Sequence, residues 1–134
     1  MLTNSIAAMA GLLLFGSAVA WADHHEDGMV YELRTYTTYE GKLDALHSRF
    51  RDHTMRIFEK HGIRNVGYWI PADRPNTLIY SIAHKSVAAA GASWKAFVDD
   101  PEWQAVRAAS IVDGEIVAKI DNVFLSATDY SPLK

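Results

Sequence analysis

Residues 31 to 36 read Tyr-Glu-Leu-Arg-Thr-Tyr. In an extended strand successive side chains point to opposite faces, so Glu32, Arg34 and Tyr36 share one face and Tyr31, Leu33 and Thr35 the other. A carboxylate, a guanidinium and a phenol side by side can orient a small polar ligand. Arg34 offers a bidentate fork to a carboxylate or enolate, and Tyr36 offers a hydroxyl donor. The same groups can instead pair with one another or with a second chain, because buried ionic groups need partners. His53 is the next residue of interest. It falls on the stripe made by Leu43, Leu46, Phe50 and Ile57, where a packing residue is expected. A histidine there is either a hydrogen-bonded core residue or a group that reaches a pocket, as general base or as axial ligand to haem. His47 lies just off that stripe and is expected to be partly exposed. His53 and Tyr36 are therefore the candidate catalytic residues, and Glu32, Arg34, Tyr36 and Trp69 the candidate ligand contacts. Trp69, like Trp94 and Trp103, also reads as core. The chain has no glycine-rich phosphate loop, no H-E-x-x-H and no His/Asp/Ser or His/Cys constellation at a recognisable spacing.

The elements that must position these residues follow from periodicity and punctuation. The β-branched and aromatic run Met29 to Thr38 predicts a strand. Gly41 to Gly62 predicts a helix, stopped by Gly62 after Lys60 and His61. Ile63 to Ile70 and Thr77 to Ala83 predict two strands joined as a hairpin by the Pro71 to Asn76 turn. Ser86 can cap a helix carrying Ala90, Trp94, Phe97 and Val98, which Gly91 weakens by up to about 1 kcal/mol relative to Ala. Asp100-Pro101-Glu102 has the cap, the proline and the acidic first turn of a second helix, expected to run to about Val112. Asp113-Gly114 is a turn, and Glu115 to Ala127 predicts the last strand. The order is that of an α+β, ferredoxin-like βαββαβ fold, with a four-stranded antiparallel sheet and the helices on one face. The alternation assigns Tyr31, Leu33 and Thr35 to packing under the helices and turns Glu32, Arg34 and Tyr36 toward the opposite face. A bare sheet face would be a large apolar patch, and a second copy of the chain is its simplest cover.

All 13 basic and 16 acidic side chains lie after residue 22, and Ile6 to Ala20 is apolar and small. Residues 1–22 read as a secretory signal peptide, with Ala18-Val19-Ala20 or Ala20-Trp21-Ala22 as the cleavage site, and the mature protein as periplasmic or secreted with no membrane segment. Residues 23–28 form a polar leader, expected to be disordered, and 29–134 a single domain. The absence of cysteine removes disulfides from its stability. A net charge of −3 with mixed signs argues against a nucleic-acid surface. Cleavage after Ala22 would leave Asp23-His24-His25 at the N-terminus. Its amine, two amides and the third-place histidine suit square-planar Cu(II) or Ni(II), so His24 and His25 are a conditional metal site.

Tyr31-Glu-Leu-Arg-Thr-Tyr36, Gly41-Lys42-Leu43, Phe50-x-x-His53 with His61-Gly62, Gly67-Tyr-Trp69, Asp100-Pro-Glu-Trp-Gln104 and Ser131-Pro-Leu133 together resemble the NIPSNAP family over residues 29 to 134. The third strand departs from the family pattern in carrying Tyr80, Ile82 and His84. The resemblance implies a dimeric α+β barrel, in which two ferredoxin-like sheets face each other and each subunit holds a pocket. The wider superfamily includes cofactor-free monooxygenases, isomerases and haem-degrading enzymes. Fold alone does not choose among them. Two readings follow. One is a homodimer with a small-molecule pocket, of oxygenase or isomerase type or haem-binding, with either haem or no cofactor. The other is a non-catalytic homodimeric structural or protein-interaction module.

Overall fold

The structure is a computed structural model that describes residues 28–134. The expected signal peptide, residues 23–27 of the expected leader and the conditional His24/His25 site therefore lie outside the described residues. In chain order the elements are β1 (Val30–Thr38), α1 (Leu43–Arg49), a π-helical turn (Phe50–Thr54), α2 (Met55–Lys60), β2 (Arg64–Trp69), β3 (Thr77–His84), α3 (Val87–Asp99), α4 (Pro101–Ser110) and β4 (Val117–Ser126). The sheet runs β2-β3-β1-β4 with every neighbouring pair antiparallel. This is the ferredoxin-like arrangement expected from the element order. Among the described residues no helix is long and apolar enough to cross a membrane.

The helix ends are set by local chemistry. Ser86 Oγ accepts from the Ala89 N–H at 3.0 Å, and the Asp100 carboxylate accepts from the Glu102 N–H at 2.8 Å. Each cap satisfies one of the amide donors that a helix start leaves unpaired. Asp100 also accepts from Lys60 Nζ at 2.7 Å and bonds His61 Nε2 at 2.6 Å, so one side chain ties the end of α2 to the start of α4. At Gly62 the backbone takes φ +76°, which lets the Ile63 N–H turn back to the Phe58 carbonyl. A side chain there would meet the steric penalty of the left-handed region.

The core lies between the sheet and the helices. Leu46, Ile57, Phe58, Ile63, Tyr80 and Ile82 are almost wholly buried there. An aromatic chain links the layers: Tyr36 meets Phe50 and Tyr80 edge-on, Tyr68 stacks on Tyr80, and Phe58 meets Phe97, which meets Trp103. Such pairs add about 0.5–1.5 kcal/mol each beyond their buried area.

Two expectations are corrected. The first helix is interrupted by the π-helical turn Phe50–Thr54. The wider turn passes the buried position from residue 53 to residue 54, so Thr54 is buried and His53 is exposed. The second correction concerns β1. Tyr36 packs against Phe50 and Tyr80, and Glu32 meets Trp94 of α3, so the Glu32/Arg34/Tyr36 face lies under the helices. Tyr31, Leu33 and Thr35 take the opposite face. Apolar alternation mis-assigned the two because the polar face finds its partners on distant elements.

Candidate functional site

Glu32 is 1% exposed, and each of its carboxylate oxygens accepts from two donors. Oε1 takes Arg34 Nη1 and Asn122 Nδ2 (3.2 Å), and Oε2 takes Trp94 Nε1 (2.8 Å) and His84 Nε2 (3.0 Å). Strand register explains most of this convergence, since Glu32 pairs with Ile82 on β3 and Phe124 on β4, with His84 and Asn122 each two residues along on the same face. Burial by itself pushes the Glu32 carboxyl up. The hydrogen bonds from His84, Trp94 and Arg34 more than reverse this and hold it at about 2. His84 Nδ1 is buried with no hydrogen-bond partner.

Arg34 is similarly committed. Its guanidinium binds Glu32, lies 4.4 Å from the centroid of the Trp94 ring, and makes a long contact of 3.5 Å with the Tyr36 hydroxyl. Glu32 and Arg34 thus pair with each other, Arg34 Nε alone lacking a partner, and the pair forms a buried knot that joins β1, β3, β4 and α3. It has no lone pair left over for a ligand on Glu32.

Beyond the knot, Tyr36 opens onto a cleft of about 370 Å³ between α1, α4 and the start of β4, lined also by Arg49, Trp103, Arg107, Lys119 and Ile120. Arg49 is 8% exposed. Its Nη1 donates to Ser110 Oγ at 3.1 Å, its Nε has no hydrogen-bond partner, and its guanidinium lies 5.4 Å from the centroid of the Trp103 ring. A second cleft, about 340 Å³ and mostly apolar, lies at the β2 edge between His47, Phe50, Met55, Tyr68 and Trp69. Here His47 Nε2 is buried without a partner.

The structure therefore separates the expected site residues. Glu32, Arg34 and Tyr36 stay together. His53 lies on an outer groove beside Asp52 and Ala105, away from Tyr36, so the pair does not form a catalytic unit and His53 does not reach the cleft as a base or haem ligand. Trp69 is half exposed on the far face of the sheet, its ring lying over Gly67. Among the described residues no three His, Cys, Asp or Glu side chains are grouped to hold a metal ion. Sequence reasoning missed Arg49, although an arginine one turn after Leu46 and beside Phe50 on an apolar stripe was a usable signal. It also missed Asn122 and His84 as partners of Glu32. The expected end of β3 at Ala83 left His84 outside the sheet.

The NIPSNAP family profile matches residues 31–132. This chain belongs to the NIPSNAP family. No curated protein matches it. A NIPSNAP family protein of unknown function from Agrobacterium tumefaciens is 26% identical with a TM-score of 0.71, the match covering 83% of this chain and 98% of that one. An uncharacterised NIPSNAP domain protein from Burkholderia xenovorans is 24% identical with a TM-score of 0.67, covering 78% of this chain and 99% of that one. A Nitrosomonas europaea protein provisionally described as an antibiotic biosynthesis monooxygenase is 15% identical with a TM-score of 0.57, covering 80% and 95%. That likeness shows a shared fold. In this chain the NIPSNAP domain thus carries a hydrogen-bonded polar knot and, beside it, an open cleft with a buried cation.

Proposed function

We propose that this NIPSNAP protein is an exported, homodimeric small-molecule-binding protein whose ligand enters the cleft between Tyr36, Arg49 and Trp103. The observation that carries the reading is Arg49. A guanidinium this deeply buried is normally matched by a carboxylate, and among the described residues none lies within salt-bridge distance of Arg49. The cleft volume falls within the range of ligand pockets, and aromatic walls with a few polar groups are their usual composition. Binding is favoured over catalysis because Glu32 and Arg34, the groups best suited to acid-base work, are used up in the knot. The uncharged residues 1–22, with their apolar run Ile6 to Ala20, support export.

The homodimer rests on a separate observation. Leu33 is half-buried, and Trp69, Val123 and Leu125 are exposed, on the sheet face away from the helices. Exposed apolar side chains gathered on one sheet face favour a protein cover. The ligand reading is tested by a fragment-mixture NMR experiment on the mature protein. Saturable shifts of the Trp103 indole resonance are expected, and their complete absence at millimolar fragment concentrations would remove the reading. The dimer is tested by sedimentation, with Leu33→Asp/Val123→Asp expected to yield monomer and an unchanged mass counting against it.

A further inference from the structure

Resting on that reading of the cleft, we infer that its ligand is a small monocarboxylate, held by Arg49 with its apolar body against Trp103 and Ile120. Three cations line the cleft, but two are already engaged. Arg107 Nη2 donates to Glu115 at 3.3 and 3.4 Å, and Lys119 Nζ lies 3.0 Å from Asp121. Among the described residues this leaves Arg49 as the cleft's cation with no carboxylate within salt-bridge distance, Glu115 acting on it only from further off. One cation without a direct ion pair matches one negative charge, and Glu115, which also lines the cleft, repels a dianion more strongly than a monoanion.

The geometry suits a planar anion. A guanidinium presents its donors in a plane that matches a carboxylate, and of the Arg49 donors only Nη1 has an internal partner, Ser110, while Nε is buried away from the cleft. Its other contact, to Ser110, fixes the side chain in place before a ligand arrives, which reduces the ordering cost of binding. The Tyr36 hydroxyl lies on the same cleft and can donate to the second carboxylate oxygen. Burial lowers the Arg49 pKa from its usual value, yet a guanidinium stays charged at any ordinary pH. A bound carboxylate would offset that burial.

The experiment compares indole-3-acetate with its neutral counterpart indole-3-acetamide, and with inorganic phosphate, by titration of the mature protein at fixed ionic strength, read on the Trp103 indole N–H resonance. The expected result is saturable binding of the acetate, at least tenfold weaker binding of the amide, no shift with phosphate, and loss of the acetate preference in Arg49→Gln. Equal binding of acetate and amide at the same resonance would overturn the carboxylate assignment and leave the pocket reading standing. Stronger binding of phosphate would also overturn it. No shift with any of the three, together with a blank fragment experiment, would overturn both. If Arg49→Gln does not fold, the acetate and amide comparison on the unaltered protein decides alone.

Discussion

Replacing Glu32 by Gln is the sharpest perturbation of the knot. The variant keeps the size of the side chain but turns one acceptor oxygen into an amide, which then faces two donors and leaves Arg34 without its counter-charge. The magnitude follows from the carboxyl's titration. Its pKa falls from the ordinary 4.5 to about 2 on folding, and at ~1.4 kcal/mol per unit the ionised form is favoured by ~3 kcal/mol. Removing one partner of a buried pair typically costs about 3–5 kcal/mol, in the same range. The sign is that of a depressed carboxyl: the contribution is complete above pH 4.5 and is lost as pH falls toward about 2. The assay is urea denaturation at intervals from pH 7 down to pH 2, on both proteins. The unaltered protein should lose stability through that window. Glu32→Gln should be less stable by ~3 kcal/mol at pH 7, with the difference shrinking as the pH falls. Asp100, whose carboxyl Lys60, His61 and the Glu102 amide also hold below its usual range, contributes to the acid limb of both proteins and cancels in the comparison. A pH-independent difference, or one below about 0.5 kcal/mol at pH 7, would refute the account of Glu32 as an ionised and fully bonded hub. Should the variant not fold at all, the acid limb of the unaltered protein still tests the depressed carboxyl.

Four further outcomes are expected. Tyr80 is wholly buried and its hydroxyl has at most a poorly aligned hydrogen bond to Tyr36, so Tyr80→Phe should change stability by less than about 1 kcal/mol in urea denaturation, and a larger loss would show that the Tyr36–Tyr80 bond is well formed. Ser86→Ala removes the α3 cap and should cost about 1 kcal/mol in the same assay. His53→Ala, at an exposed site, should change stability by less than about 0.5 kcal/mol, and any Soret band produced by haem titration should survive it. An alanine Cβ at position 67 would lie 2.4 Å from the Trp69 ring, so Gly67→Ala should displace the Trp69 indole resonance. Because that ring is half exposed and free to swing, the stability cost should stay below about 1 kcal/mol.

The sequence by itself determined the element order, and through it the fold. Ser86, Asp100-Pro101 and Gly62 mark helix ends with chemistry that acts within four residues, so their signals are legible without any tertiary information. Most strands fell within a residue or two of their expected ends, because β-branched runs and the Pro71 to Asn76 turn are also local. What only the tertiary structure decided was direction. Which face of β1 meets the helices depends on Trp94, His84 and Asn122, which lie 62, 52 and 90 residues from Glu32. A carboxylate looks like a surface residue until four donors are found to surround it. The π-helical turn is equally invisible to a count of apolar spacing, and across it Thr54 rather than His53 is the buried side chain. Arg49 shows the same limit from the other side: its place on the helix stripe was readable, but its lack of a counter-ion is a property of everything folded around it. Backbone capping and periodicity are local interactions, whereas the pairing of a buried charge is settled by residues brought together only once the sheet has closed under its helices.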